Sequence, residues 1–388
     1  MNWIEIMIAE QCPKGVERVK LGEVIRNLRT GLNPRVHFKL NTIDAQDYYI
    51  TVRELKGFDI KVDEKTDRIN ETARIRINER SKLQINDILF SGTGTIGRTA
   101  IVKEAPTNWN IKEGVYAITS DTNLIIPYYF IYVLHSSEIV DQISNKAGGS
   151  TVKSIPMAEF KKLEIPLPPL SIQEEIVSVL DKFTELIEKT DEEIALRQKQ
   201  YEYYREKLLT FKEGEVEWKK LGDVSNILTG GELKKDIFVS AEKNGEYIYP
   251  VYGNGKDVYG YINTYRVKND SVCISSIGAN TGAIFYHKGM FTPIIRLKVI
   301  ELLDDSIVAK YIYYFLSTLK ISSKNGGGIP NINANDVKML QIPLPPPSRQ
   351  QEIVDTLDKF EALISKLKEE RELRQKQYEY YREKLLTF

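Results

Sequence analysis

Cysteine is scarce in this chain of 388 residues, and its scarcity excludes two kinds of small-domain scaffold. Cys12 and Cys273 lie far apart and neither belongs to a Cys-X-X-Cys pair, so neither a disulfide framework nor a zinc ribbon is available. No apolar run approaches the ~18 residues that a membrane span needs, and the first residues lack the pattern of a signal peptide. We therefore expect a protein of the reducing cytoplasm with no membrane partner.

An excess of charge of one sign is also absent, because 54 basic residues balance 54 acidic residues. This balance excludes a chain coated with positive charge for nonspecific nucleic-acid binding. The three histidines, His37, His135 and His287, are widely separated, and the sequence contains neither a P-loop nor an HExxH motif. We therefore predict a protein that is not an enzyme, with no catalytic residue, no metal and no cofactor of its own.

One motif nevertheless has the form of a dinucleotide-binding sequence, Gly-X-Gly-X-X-Gly at residues 92–97. A dinucleotide fold requires a helix directly after these glycines, whereas the residues that follow, RTAIV, are typical of a strand. We predict a tight turn that needs glycine at positive φ. An NAD-dependent enzyme stays open as an alternative, which titration with NAD would test.

The chain contains an internal repeat, which determines its predicted organisation. Residues 196–211 and 373–388 are identical, and similar PLPP segments precede both stretches, at 165–189 and 342–366. The openings of the two repeats also match, as VERVKLGEV at 16–24 and VEWKKLGDV at 216–224. Each repeat is therefore a variable body between a shared opening and a shared tail.

The tails are predicted to be long helices with coiled-coil seams. After Ser171, which we expect to be an N-cap, no glycine or proline occurs before Gly214, and apolar residues recur every seven positions, as at Leu180 and Ile187. Two such helices in one chain most simply pack on each other in antiparallel fashion as a spacer, although each could pack on its own body. The predicted boundaries are an N-terminal segment (1–16), a first body (17–170), a first helix (171–211), a second body (212–347) and a second helix (348–388).

The two bodies are predicted to be α+β. Short β-branched runs bounded by turn residues, such as DILFSG and SVCISSIG, indicate strands. Apolar periodicity over 126–143 and 306–320 indicates one helix in each body. A Gly-rich loop follows each helix, and a strand ending in IPLPP follows the loop.

This arrangement resembles the specificity subunit of type I restriction-modification systems. The resemblance rests on the LGEV and LGDV openings, the SGTGTIG turn and the twice-used PLPP(L/P)xxQ segment, and it covers essentially the whole chain. It implies two target-recognition domains that each read one half of a bipartite duplex DNA sequence. It also implies two methyltransferase subunits as partners, which bind S-adenosylmethionine, and restriction or translocase subunits as further partners.

Candidate DNA-binding residues are polar and basic side chains on loops, because rigid scaffolds present recognition residues on loops. Those in the first body are Arg74, Arg76, Arg80, Lys82, Thr93, Thr95, Arg98, Ser150, Thr151, Lys153 and Ser154. Those in the second body are Asn280, Thr281, Lys324, Asn325, Asn331 and Asn333. Solvated or turn-capping side chains are an equally good interpretation of each.

Candidate partner-binding residues lie in the repeated YEYYR sequence near the end of each tail, since Tyr and Arg are favoured at protein interfaces. They are Tyr201, Tyr203, Tyr204, Arg205, Tyr378, Tyr380, Tyr381 and Arg382. Packing of the two tails on each other is the alternative, and both can hold on different faces of the helices. A duplicated coiled-coil scaffold without DNA specificity is the alternative function.

Overall fold

Internal contacts divide the chain into two units, and each unit contains one body together with parts of both long helices. The first unit consists of Met1–Lys189 and Arg371–Phe388, and the second of Thr190–Glu370. The structure is a computed structural model, and it describes residues 3–149, 151–234, 237–321 and 331–388. Both bodies combine sheets with short helices, so the predicted α+β class is confirmed.

The first body begins with a helix and then builds its sheets from short strands. The strands are β1 (Arg18–Lys20), β2 (Ile25–Thr30), β3 (Asp47–Ile50), β4 (Leu55–Lys56), β5 (Asp59–Ile60), β6 (Arg68–Ile69), β7 (Ile88–Ser91), β8 (Thr99–Ile101), β9 (Trp109–Ile111), β10 (Val115–Ser120) and β11 (Glu164–Pro166). The helices are α1 (Trp3–Gln11), α2 (Pro34–His37), α3 (Glu71–Ser81), α4 (Pro127–Leu134), α5 (Ser137–Lys146), α6 (Met157–Phe160) and the long α7 (Leu170–Leu209).

The second body repeats this plan with fewer elements. Its strands are β12 (Glu217–Lys220), β13 (Ser225–Thr229), β14 (Tyr249–Tyr252), β15 (Val258–Ile262), β16 (Ser271–Ile274), β17 (Ile284–His287), β18 (Thr292–Pro293), β19 (Lys298–Leu302) and β20 (Gln341–Leu344). Its helices are α8 (Leu221–Val224), α9 (Ala309–Leu316) and α10 (Ala334–Lys338), and the long α11 (Pro347–Leu386) follows.

A four-stranded antiparallel sheet is the centre of each body. Its order is β2-β10-β7-β8 in the first body and β13-β19-β16-β17 in the second. A three-stranded sheet accompanies it, β6-β3-β9 in the first body and β15-β14-β18 in the second. The strand of the shared opening pairs with the strand of the IPLPP segment, as β1 with β11 and as β12 with β20. The repeated sequences therefore close each body, while the variable residues build its sheets.

Residues 126–143, which we expected to form one helix, form two. The chain leaves the helical conformation at Ser136, whose φ and ψ are −65° and 149°. The Ser136 hydroxyl donates to the carbonyl oxygen of Val133 at 2.8 Å, and such a side-chain bond competes with the helical backbone bonds. Local hydrogen bonding thus ends α4 and lets α5 begin in a new direction.

The long helices begin and end close to the predicted positions, but Ser171 is not the N-cap. Helix α7 starts at Leu170, so Ser171 lies in its first turn and donates its hydroxyl to Gln11 Oε1 at 2.9 Å. Helix α11 starts at Pro347, where the fixed φ of proline suits a first helical position. Proline rather than a serine cap therefore starts α11.

The two helices pair in antiparallel fashion inside each unit, as predicted. In the first unit, Phe183 stacks on Tyr381 at 5.1 Å, and the Arg374 guanidinium donates to the carbonyl oxygen of Leu186 at 3.1 Å. In the second unit, Tyr204 stacks on Phe360 with ring centroids 5.4 Å apart. The helices also pack on the bodies, so both predicted modes of packing occur.

A buried glutamine in the PLPPxxxQ segment fixes the start of each long helix. Gln173 Oε1 accepts the backbone N–H of Ile126 at 2.9 Å, and its Nε2 donates to the carbonyl oxygens of Leu124 at 2.9 Å and Pro168 at 2.8 Å. Gln350 repeats this in the second unit with Val308 N and Pro345 O, both at 2.9 Å. One amide thereby satisfies backbone groups of two segments that have no partner in a strand or helix.

Tyrosines on α4 and α9 add a second set of equivalent contacts. Tyr129 donates its hydroxyl to the carbonyl oxygen of Pro166 at 3.1 Å, and Tyr132 donates to Asp181 on α7 at 2.6 Å. In the second unit, Tyr311 donates to Pro343 O at 2.9 Å and Tyr314 to Asp358 at 2.5 Å. Tyr132 and Tyr314 therefore attach each body to its long helix, and Tyr129 and Tyr311 attach α4 and α9 to the IPLPP strands.

Replacing Gln173 with alanine is expected to lower the free energy of unfolding of the first unit by about 2–4 kcal/mol. The substitution leaves the N–H of Ile126 and two carbonyl oxygens without their partner in a buried place, and each such loss is costly. Urea unfolding followed by tyrosine fluorescence measures the change. The matched control is Glu174→Ala at the next, exposed position, where a change within about 0.5 kcal/mol is expected. Equal stability of the two variants would contradict the assigned role.

Candidate nucleic-acid interface

The glycine motif at residues 92–97 forms a tight turn between two strands of the central sheet. Gly94 and Gly97 have φ of 81° and 98°, and β8 follows the turn, as predicted. Ser91 closes the turn, because its hydroxyl donates to the carbonyl oxygen of Thr95 at 2.6 Å and accepts the N–H of Arg98 at 2.8 Å. The exposed side chains of Thr93, Thr95 and Arg98 therefore project from a fixed backbone.

The structure brings the Gly-rich loop of the first body against this turn. Thr93 and Ser154 form an isolated β-bridge, and Gly94 N donates to Lys153 O at 2.9 Å. Thr151 and Lys153 are exposed beside the turn residues. Two groups of candidate residues that are far apart in sequence thus share one edge of the body.

A surface cleft of about 620 Å³ lies at the same edge of the first body. Its lining includes Thr93 together with Asn33 and Arg35 at the start of α2, and Lys112 in the turn before β10. Arg35 and Lys112 are exposed, and Tyr116 and Thr30 also line the cleft. The cleft combines two basic side chains and the carboxylate of Glu113 with hydrogen-bonding groups. Basic groups contact phosphates, and all three kinds of group can contact base edges.

The second body has the same arrangement of turn and loop. Gly278 and Gly282 have φ of 91° and 89°, and the turn they shape carries Asn280 and Thr281. Ile277 forms a β-bridge with Asn331, at the place where Thr93 bridges Ser154 in the first body. Asn280, Thr281 and Asn331 are therefore brought together at this edge.

Other candidate residues also have local partners in the structure, as Arg98 does by donating to the carbonyl oxygen of Val52 at 3.2 Å. Arg74 on α3 is paired with Asp47 at 2.6 Å, and Arg76 donates to the carbonyl oxygen of His37 at 3.0 Å. Asn333 caps α10 by accepting the N–H of Asp336 at 2.9 Å. These three side chains already serve the fold, as the capping and solvated interpretation anticipated.

The remaining candidates on α3 and in the loops stay predictions. Arg80 and Lys82 are exposed near the end of α3, which packs on β9 and β2. Ser150, Lys324 and Asn325 lie outside the described residues.

The YEYYR sequences divide into a packed face and an exposed face. Tyr201 and Tyr378 are buried, with an Arg205 or Arg382 guanidinium 5.5 Å from the ring centre, and Tyr204 and Tyr381 stack on the partner helix. Tyr203 and Tyr380, by contrast, are 58% and 62% exposed. Helix packing accounts for Tyr201 and Tyr378. Tyr203 and Tyr380 are available to a partner, together with the free sides of Tyr204 and Tyr381, which are 39% and 37% exposed.

His135 is half-buried, and His287 is buried in its body. Thr99 hydrogen-bonds His135 Nε2 at 2.7 Å, and burial, with Arg382 as a smaller cause, lowers the pKa of His135 to about 4. His287 stacks on Tyr252 with ring centroids 3.7 Å apart, its Nε2 has no partner among the described residues, and burial lowers its pKa to about 4. Both imidazoles are therefore neutral at physiological pH.

In the part of the chain that the structure covers, no cluster of three or more His, Cys, Asp or Glu side chains could hold a metal ion. None of the described helices is both long enough and apolar enough to cross a membrane.

A family model described as the type I restriction modification DNA specificity domain matches the chain twice, at residues 13–196 and 213–375. The chain belongs to this family. The two matches follow the two repeats, so the family's specificity domain is present twice. The resemblance inferred from the openings, the turn and the PLPP segments is thereby confirmed.

Individual relatives agree with the assignment to the specificity family. A type I restriction enzyme specificity subunit of Escherichia coli is 36% identical over 259 residues, which cover 59% of this chain and 63% of the relative. A putative type I restriction enzyme specificity subunit of Haemophilus influenzae is 33% identical over 252 residues, covering 60% of this chain and 65% of the relative. The chain thus matches less than two thirds of the length of these two curated relatives.

Among solved structures, the S subunit of a type I restriction-modification system from M. genitalium has a similar fold. The TM-score is 0.61 at 18% identity, and the superposition covers 96% of each chain. The likeness extends over both bodies and both long helices, so the two chains share this fold.

The sequence analysis missed Asn33, Arg35 and Lys112, although a signal for them exists. Asn33 precedes a proline, a typical helix start, and its side chain accepts the N–H of Arg35 at 3.0 Å. Lys112 follows β9, as Asn33 follows β2, and both strand ends approach the glycine turn. Their positions just after strands could have identified Asn33 and Lys112 as loop residues. Only the sheet order shows that the two residues lie at the same edge of the body.

Acidification is expected to destabilise the second unit through His287. Its pKa is about 4 in the folded chain and about 6.5 when unfolded, so the unfolded chain binds more protons between these values. The free energy of unfolding should therefore fall as the pH falls through this window, by about 1–2 kcal/mol between pH 7 and pH 5. Replacing His287 with phenylalanine should remove this contribution, as urea unfolding at both pH values would show. His37→Gln, at a histidine that is not buried, is the control, and an unchanged pH dependence in His287→Phe would refute the argument.

Proposed function

We propose that this chain is the DNA-recognition subunit of a type I restriction-modification complex, in which each body reads one half of a bipartite duplex sequence. The observation that carries the proposal is the shared edge of each body, where the glycine turn meets the Gly-rich loop. Family membership and the duplicated fold support it. The bodies differ in sequence while their borders repeat, so the two halves of the target can be unrelated.

In this proposal the catalytic reactions take place on partner subunits of the complex. Methyl transfer to DNA and the binding of S-adenosylmethionine take place on methyltransferase subunits, and restriction or translocase subunits join the same assembly. This chain contributes sequence selection and docking surfaces. Its cytoplasmic location follows from the location of the DNA that it reads.

A duplex library with randomised positions, selected with the assembled complex and then sequenced, tests the function. A bipartite sequence with a fixed gap is expected for the unaltered protein. If no sequence is enriched while the complex binds duplex DNA, the alternative of a protein-binding scaffold is correct instead.

The double variant Arg98→Ala, Lys153→Ala is expected to weaken selection in one half-sequence and to leave the other half intact. Both side chains are exposed beside the glycine turn of the first body, and a lost base contact costs about 1–3 kcal/mol of discrimination. The selection experiment measures the change. Lys103→Ala is the control, because Lys103 is an exposed cation that pairs with Asp59. Changes in both half-sequences would contradict the assignment of one body to one half.

Two copies of the methyltransferase subunit are proposed to dock on the two exposed YEYYR faces. The faces match in geometry as well as in sequence, because the rings of Tyr203 and Tyr204 cross at 78° and those of Tyr380 and Tyr381 at 79°, both at 5.3 Å. Identical surfaces presented twice bind identical partners twice. The exposed tyrosine is the aromatic anchor that interfaces favour.

Replacing Tyr203 or Tyr380 with alanine is therefore expected to weaken the binding of one of the two methyltransferase copies. Truncation of an interface tyrosine typically costs about 2 kcal/mol or more, so native mass measurement near the dissociation constant should show complexes with one copy. The double variant should lose both. Tyr259→Ala removes a comparably exposed tyrosine, 64% exposed, from the second body and should keep both copies. A single copy bound to the unaltered chain at saturation would disprove the proposed stoichiometry.

A further inference from the structure

The turn that leads into β19 has an unusual backbone for its residues. Ile295 and Arg296 have φ of 52° and 60°, and Leu297 N donates to Ile294 O at 3.1 Å across them. Two successive residues at positive φ are typical of a type I′ turn, which favours Asn, Asp and Gly. A β-branched residue at positive φ is a genuine outlier, so this turn is strained.

Neighbouring groups hold the strained turn in place. The N–H groups of Ile295 and Arg296 donate to the carbonyl oxygens of Gly231 at 3.1 Å and Gly230 at 3.0 Å. Ser276 donates its hydroxyl to Arg296 O at 2.6 Å, and the Asn254 side-chain amide donates to Ile295 O. The backbone groups of both residues are therefore engaged, and the turn is rigid.

The first body builds the same turn without this strain. Val115 N donates to Lys112 O at 3.1 Å, and the third turn residue is Gly114 with φ of 88°. Among the described residues of that turn, only the glycine has positive φ. A glycine would therefore satisfy the backbone, and the second body instead places isoleucine and arginine at this point. The strained backbone therefore indicates a function for the side chains of Ile295 and Arg296.

Both side chains are exposed. Ile295 is 53% exposed, and Arg296 is exposed with no side-chain hydrogen bond or ion pair to any described residue. The turn lies beside the candidate interface, since Asn254 O also accepts Asn280 Nδ2 at 3.2 Å. Its counterpart in the first body, Lys112 to Gly114, lines the cleft described above.

Positive charge accumulates around the turn. Lys298 is buried, and the hydroxyl of Thr229, 3.1 Å from Nζ, is its only hydrogen-bond partner among the described residues. Burial, with the nearby Arg296 as a smaller cause, lowers the pKa of Lys298. Arg266 Nη1 lies 3.6 Å from where a Cβ on Gly231 would stand. None of these three cations forms an ion pair with a described residue, so a polyanion would supply the missing negative charge.

We propose that the turn of Ile295 and Arg296 is the base-reading element of the second body, an inference that rests on the proposed function. Arg296 donates two hydrogen bonds to O6 and N7 of a guanine in the major groove, the commonest specific contact of arginine with DNA. Ile295 packs on the edge of the adjacent base pair, where a thymine methyl group offers an apolar contact. Lys298 and Arg266 supply positive potential toward the phosphates beside that guanine.

Selection from a randomised duplex library, carried out with the assembled complex, tests the proposal. Replacing Arg296 with alanine or lysine should reduce the preference for guanine at one position of one half-sequence by about 5- to 100-fold, while the other half stays unchanged. Ile295→Gly relaxes the backbone, so it should fold at least as well, and it should lose selectivity only at the neighbouring position. Lys288→Ala is the control. Lys288 is an exposed cation that follows β17, at the end of that strand away from the turn of Gly278 and Gly282, and its replacement should leave the selected DNA sequence unaltered.

Three outcomes would overturn the inference. An unchanged sequence preference in Arg296→Ala and Arg296→Lys would show that Arg296 does not contact a base. A uniform loss of binding to all sequences in Arg296→Ala assigns Arg296 to a phosphate instead. A change in both half-sequences shows that the turn does not belong to one half-site. If the unaltered complex enriches no sequence at all, the proposed function itself fails, which distinguishes the two cases.

Discussion

The buried amides of Gln173 and Gln350 are the contacts on which the form of each unit depends. The Gln173 amide satisfies one N–H and two carbonyl oxygens, and the Gln350 amide one N–H and one carbonyl oxygen, in segments that form neither helix nor strand. The same residue belongs to the first turns of a 40-residue helix. The direction in which each helix leaves its body is therefore set by directional hydrogen bonds, three at Gln173 and two at Gln350, and not by apolar packing alone. The IPLPP strands and the tyrosines of α4 and α9 reinforce this one attachment.

Much of the architecture could be predicted from the sequence, because it depends on repetition and local pattern. The identical tails, the heptad spacing and the prolines before them led to both long helices within two residues of their ends. The glycine turn was also predictable, since the strand-like RTAIV after it excluded a dinucleotide fold. By contrast, the division of 126–143 into two helices depends on the hydroxyl of Ser136, and the spacing of apolar residues does not reveal the hydrogen bond that this hydroxyl forms.

The candidate interface was predictable only in part, because it depends on contacts between distant segments. The turn at Thr93 and the loop at Ser154 were each proposed on composition, but their β-bridge is a product of the folded sheet. The charge of Arg74 was visible in the sequence, whereas its pairing with Asp47 was not. The turn at Ile295 contains no glycine, so its composition did not predict residues at positive φ.

The first unit includes residues from both ends of the chain, since Arg371–Phe388 pack with Met1–Lys189. Tyr378, Leu385 and Leu386 are part of the core of the first body. During synthesis, the first body thus lacks part of its core until residues 371–388 have left the ribosome, whereas the second unit has all of its residues by Glu370. A stop codon shortly before Arg371 would accordingly damage the body that is encoded far upstream of it.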